Sequence, residues 1–190
     1  FSYGFERPSP IQAKAIKPVL SGRDVIAQAQ SGMGKTGAFT IGTLGRIDEN
    51  VNATQAIVLA HTRELALQID TFFRQISTHS NIRVNICLKG IPVQENIEKL
   101  SGVKGGKPHV IIGTPGRILD MLKRRDMTTG HPIINQSALR MLVIDEADEM
   151  IGTTNESSNR ASHHQQNRKP GFMDQIYNIF QQLPRDIQVC

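Results

Sequence analysis

Tryptophan is absent from this 190-residue sequence and tyrosine occurs only twice, which argues against extensive stacking of bases on aromatic side chains. Cysteine also occurs twice, at Cys87 and Cys190, too few for a framework of disulfides or a cysteine metal site. Both cysteines lie in apolar strand-like runs, so they are expected as buried free thiols in a reducing compartment. No apolar run approaches the length that spans a bilayer, and no signal peptide is visible; the chain opens mid-motif at Phe1. Neither sign of charge dominates: 22 Lys and Arg against 17 Asp and Glu leave a net +5, which permits a nucleic-acid partner without establishing one. With 38% apolar and 21% charged residues, the composition is that of a soluble globular chain, long enough for one domain with a sizeable core.

What is present is organised around Asp24 to Thr36, DVIAQAQSGMGKT. Val25-Ile26-Ala27 reads as a short apolar strand, followed by a small-residue loop and the start of a helix. Ala29 to Thr36 has the form A-x-x-x-x-G-K-T, the phosphate-binding loop with Ala in place of its first Gly. Glycines let backbone N–H groups approach phosphate oxygens with no Cβ in the way, and the helix behind adds the positive end of its dipole. Ser31, Gly32, Met33 and Gly34 form the cradle. Lys35 can reach the β- and γ-phosphates, and the Thr36 hydroxyl can ligate Mg²⁺.

Along the chain, Pro8 and Pro10 punctuate a loop, and Ser9 or Pro10 opens a predicted helix to about Leu20. Further helices are predicted over Thr36–Ile47, Thr62–Ser77, Val93–Leu100, Pro115–Arg125 and Asp174–Gln182. Predicted strands are Gln55–Ala60, Arg83–Leu88, His109–Ile112, Leu139–Ile144 and Ile187–Cys190. The strands are continuous apolar runs alternating with helices, which predicts a mostly parallel sheet covered on both faces: an α/β three-layer domain. Ligands bind beyond the C-terminal strand ends of such sheets. The phosphate loop, His61-Thr62-Arg63, Thr114-Pro115 and Asp145-Glu146 all follow strand ends and are expected on one rim. The polar stretch from about 152 to 170, rich in Ser, Asn, Gln and Thr, lacks periodicity and reads as a disordered insertion. His163 and His164 within it have no supporting ligand cluster, so a solvated loop is the expectation there.

Leu142 to Asp148 reads LVIDEAD, an apolar strand ending in two acids. A Mg-nucleotide site opposite a phosphate loop requires this: Asp145 can hold Mg²⁺ directly or through water, and Glu146 can orient and deprotonate the water that attacks the γ-phosphate.

Asp145-Glu146-Ala147-Asp148 spells DEAD, and with it the chain resembles the first RecA-like domain of the DEAD-box RNA helicases, nearest to the branch of translation initiation factor 4A. Gly4 to Gln12 is similar to that family's adenine-reading motif, and Ala29 to Thr36 to its phosphate loop, including the Ala. His61 to Ala66 is similar to the motif written PTRELA, and Thr114-Pro115-Gly116-Arg117 to TPGR. The resemblance implies a RecA-like P-loop NTPase fold over residues 1–190, with ATP and Mg²⁺ as cofactors. It implies RNA contacts at Thr62, Arg63, Gly90, Thr114, Gly116 and Arg117. It also implies a second RecA-like domain outside this sequence, possible protein cofactors, no membrane, and an intracellular site, cytoplasmic or nuclear.

The residues carry their own physics beside that resemblance. The Gln12 amide has a donor and an acceptor and can pair with adenine N7 and N6–H₂ at once, where guanine would mismatch. Phe5 and the stem of Arg7 can pack near the base. Arg63 and Arg117 each lie at a helix start, where a guanidinium and free backbone N–H groups can hold one phosphate together, with little sequence preference. Pairing of Arg63 with a nearby acid is the competing reading. Two departures stand out: His61 where the family usually has Pro, and Lys89-Gly90 where it usually has Gly-Gly. The expected function is the ATP- and RNA-binding half of a helicase that remodels RNA, with an ATP-latched RNA clamp as the alternative. Alone, this half is expected to bind ATP weakly and not to unwind RNA.

Overall fold

The computed structural model describes residues 7–30, 32–103, 105–127, 129–152 and 171–190. Phe5, Ser31 and the 152–170 insertion with its two histidines fall outside them, apart from Gly152. Among the described residues, no helix is long and apolar enough to cross a membrane.

The chain runs α1 (Pro10–Leu20), α2 (Lys35–Leu44), β1 (Ala56–Leu59), α3 (Arg63–Ile76), β2 (Val84–Cys87), α4 (Val93–Ser101), β3 (Val110–Gly113), α5 (Pro115–Lys123), β4 (Met141–Ile144), α6 (Ala147–Ile151), α7 (Phe172–Phe180) and β5 (Gln188–Val189). The five strands form one parallel sheet of order β2-β3-β1-β4-β5. Side chains alternate across it, as strand geometry demands. Ile57, Leu59, Ile111 and Leu142 join Leu100, Ile118, Met121 and Ile176 in one core cluster. Ala56, Val58, Val110, Ile112 and Val143 join Val19, Ile69 and Phe73 in the other. Two buried faces explain the continuous apolar runs, and the α/β three-layer expectation holds.

Helix starts follow sequence chemistry. Ser9 caps α1 in a capping box, with Pro10 in the first turn: the Gln12 N–H donates to Ser9 Oγ at 3.4 Å, and the Ser9 N–H donates to Gln12 Oε1 at 3.0 Å. Thr62 caps α3, its hydroxyl accepting from the Leu65 N–H at 3.2 Å. Helices α1 and α2 meet where α2 has no side chains: a Cβ at Gly42 would collide with Val19, and one at Gly45 with Leu20.

Two sequence expectations fail. Val25–Ala27 is not a strand. Among the described residues, its contact with β5 amounts to the Val25 N–H donating to the Val189 carbonyl at 3.0 Å, while the Val189 N–H donates to Asp24 Oδ1 at 2.8 Å, too few bonds to make a ladder. Ile26 beyond it is fully exposed. Of the two thiols, Cys87 is fully buried but Cys190 only partly; burial still pushes them up to about 12 and about 11, so both stay protonated.

The sheet's opposite rim is tied by His109, which is fully buried. The Arg83 N–H donates to its Nδ1 at 3.1 Å, while the Arg83 guanidinium bonds the Lys107 carbonyl and Asn52. Burial, then the Arg83 charge, holds the imidazole below its ordinary value; Glu49, Asp48 and a backbone bond to Val51 oppose this. The unfolded chain therefore binds a proton that the folded chain resists, and stability falls as pH drops below about 6.5. Asp145, whose carboxyl is shifted up, acts in the opposite sense. Urea midpoints at neutral and mildly acidic pH are expected to fall further for the wild type than for His109→Gln. One proton limits that difference to about 1.4 kcal/mol per pH unit, and parallel slopes would remove His109 as the acid-sensitive group.

Candidate nucleotide and RNA site

Register decides which loops meet. Leu59 at the end of β1 pairs with Gly113 of β3 and Ile144 of β4, and Gly113 pairs with Cys87 of β2. The residues that follow, His61-Thr62-Arg63, Thr114 and Asp145-Glu146, thus leave the sheet on one rim, as the sequence predicts, and Lys89-Gly90 after β2 joins them there.

The phosphate loop ends in Gly34, at φ +86°, which caps α2 without a side-chain bond. Any other residue would strain this left-handed backbone, and its Cβ would lie 2.6 Å from Gln12 Nε2. The loop is laced to the start of α1. Ser9 Oγ donates to the Met33 carbonyl at 2.9 Å, and Gln12 Nε2 donates to the Gly34 carbonyl at 3.2 Å. Gln12 is 5% exposed, and both ends of its amide have partners inside the chain. One Nε2 proton and spare lone-pair capacity on Oε1 remain for a base. Lys35 Nζ turns back and donates to the Ala29 carbonyl at 2.8 Å. Met33 is half-exposed, Thr36 half-buried, and Gly32 and Arg7 exposed.

Opposite stand the acids. The Asp145 N–H donates to the Leu59 carbonyl at 3.0 Å, and the side chain is buried. Burial, then the neighbouring Glu146 charge, raises the Asp145 carboxyl above its ordinary range; Lys35, the Glu146 N–H and His61 pull it back. A carboxylate whose anion is disfavoured by burial and by Glu146 has the chemistry to take a divalent cation, and the Thr36 hydroxyl is a further hard oxygen donor at the start of α2. Glu146 has a left-handed backbone, φ 51° and ψ 53°, and caps the short helix α6, an element that the sequence did not predict.

Along the rim, both arginines grip the loop between β2 and α4. One Arg63 guanidinium nitrogen donates to the Lys89 carbonyl at 3.0 Å. One from Arg117 donates to the Ile91 carbonyl at 3.0 Å and lies 3.4 Å from Asn96 Oδ1. Neither is in an ion pair with an acid among the described residues, so the acid-pairing reading of Arg63 is not what forms. Each keeps further N–H donors. Thr114 starts α5 without a side-chain cap bond, and Gly90 and Gly116 are exposed. Asn96, a brace of Arg117, was not picked out from sequence, and Ser9, a brace of the phosphate loop, was read there only as a helix start.

The DEAD/DEAH box helicase family model matches residues 9–190. The chain belongs to the DEAD/DEAH box helicase family. It is 45% identical over 190 residues to the ATP-dependent RNA helicase eIF4A of Meyerozyma guilliermondii, covering 100% of this chain and 41% of that protein. It is 42% identical over 191 residues to the eukaryotic initiation factor 4A-III homolog B of Oryza sativa, covering 100% and 40%. A DEAD box protein from Methanococcus jannaschii superposes with a TM-score of 0.79 at 28% identity, over 99% of this chain and 44% of that one. S. cerevisiae Dbp5 bound to RNA and ADP BeF3 gives 0.75 at 30% identity, over 97% and 40%. The chain thus spans about two fifths of the length of these DEAD-box relatives, and its initiation-factor-4A-like character rests on whole-chain similarity.

Proposed function

We propose that this chain is the ATP-binding and RNA-binding half of an ATP-dependent RNA helicase that acts inside the cell. The register that sends the phosphate loop's partner acids and two arginine-bearing helix starts to one rim carries the reading. The adenine would lie against Arg7 and Gln12, and the phosphates against the N–H groups of Gly32 to Thr36. Lys35 would exchange the Ala29 carbonyl for phosphate oxygen. Thr36 and Asp145 would hold Mg²⁺, whose charge offsets that of the phosphates and of the buried carboxylate. Glu146 would orient the attacking water and take its proton. A second RecA-like domain in the intact protein would close over ATP and a single RNA strand.

The RNA face is tested with Arg63→Ala and Arg117→Ala in the intact protein, by titrating single strands of unrelated sequence between 50 and 200 mM salt. Backbone contacts predict equal weakening on every sequence and a salt slope shallower by about 0.7 per arginine. Unchanged slopes would take these arginines off the RNA path.

A further inference from the structure

We infer that His61 positions the Glu146 carboxylate for its work on the attacking water, a role that rests on the reading of Glu146 above. Both residues leave the sheet from fixed points. The Ala60 N–H donates to the Gly113 carbonyl and the Asp145 N–H to the Leu59 carbonyl, each at 3.0 Å. This sets the His61 and Glu146 side chains face to face, with His61 Nδ1 3.5 Å from Glu146 Oε2. Nδ1 is buried and has no hydrogen bond of its own. A buried polar nitrogen without a partner is uncommon, and a small closing movement converts this contact into a hydrogen bond.

The consequence falls on Glu146. Its left-handed backbone fixes where the side chain starts, but a carboxylate on two methylenes still rotates freely. A donor on Oε2 holds that rotation and leaves Oε1 for the water. The neutral Nδ1–H tautomer and the imidazolium both supply the donor, so the role does not depend on charging the ring. His61 is accordingly a positioning residue, acting through Glu146.

The experiment measures RNA-stimulated ATP hydrolysis by the intact protein for His61→Phe, which keeps a ring without the donor, and His61→Asn, whose amide nitrogen can stand near Nδ1. Glu146→Gln and the His61→Phe/Glu146→Gln double variant complete the cycle. The expectation for His61→Phe is a kcat lower by roughly tenfold with KM for ATP unchanged, restored in large part by Asn. In the Glu146→Gln background, His61→Phe should add nothing. The ring signal of His61 in a ¹⁵N spectrum of the otherwise wild-type protein should move on Glu146→Gln, a readout that holds even where the Phe variant does not fold. If Glu146→Gln itself leaves kcat unchanged, the reading of Glu146 is wrong. If Glu146→Gln lowers kcat while His61→Phe does not, or Asn fails to restore it, or the ring signal stays put, the positioning role alone is overturned.

Discussion

Glu146→Gln in the intact protein is expected to slow RNA-stimulated ATP turnover by about 10²- to 10⁴-fold, the usual range for loss of a general base, while ATP affinity is kept or improved. The substitution keeps the size and hydrogen-bonding reach of the side chain but removes the group that can accept the water's proton. In barrier terms the loss is roughly 3–5 kcal/mol. Affinity should survive because Glu146 is the second-largest cause of the raised Asp145 carboxyl, after burial. Taking away its charge eases Asp145 towards the anion that a divalent cation prefers. The thermal midpoint should barely move, since the left-handed cap at 146 is a backbone feature with no side-chain cap bond. Single-turnover hydrolysis beside nucleotide titration is the measurement. A fall of less than tenfold would assign the water to another group.

Phe73→Ala is the largest stability change foreseen, a loss of about 3–5 kcal/mol. Phe73 has no exposed surface and packs in the cluster beneath β1 and β3, with its ring 6.3 Å from that of Phe39 at 33°. It joins α3, α2 and the sheet at one point, so no single neighbour can relax into the gap without moving a helix. For a domain of this size the midpoint should drop by roughly 10 °C, read by thermal melts with urea titration to confirm an unchanged slope. A loss under about 1 kcal/mol would mean that α3 repacks. Because α3 begins at Arg63, such movement would also shift that residue on the rim, which links the core to the rim.

Much of this fold is legible in sequence because local and global preferences agree. Runs such as AIVL and VIIG are apolar on both faces, which only a covered sheet tolerates, and Ser9, Thr62 and the prolines at 10 and 115 open helices for local reasons. Where legibility failed, the deciding partner lay far along the chain. Whether Val25–Ala27 becomes a strand depends on its pairing with residues around Val189, more than 160 positions away. That the Gln12 amide turns in against Gly34, or that Arg63 and Arg117 brace the loop at 88–92, depends on which elements the sheet order makes neighbours. His61 was visible as an unusual residue; that it faces Glu146 followed only from the β1–β4 register.

The contact between α1 and α2 at Gly42 and Gly45 is made by Val19 and Leu20 against bare backbone. Side-chain layers can be retuned by exchanging volumes between partners, but a backbone has nothing to give up. Gly42 is therefore the constrained position: a larger residue there needs room made at the buried Val19, whereas the exposed Leu20 can swing its side-chain end away from a Cβ at 45. The helix that carries Gln12 and the helix that carries Thr36 thus meet side chain to backbone at Gly42, where Val19 leaves no room for a Cβ.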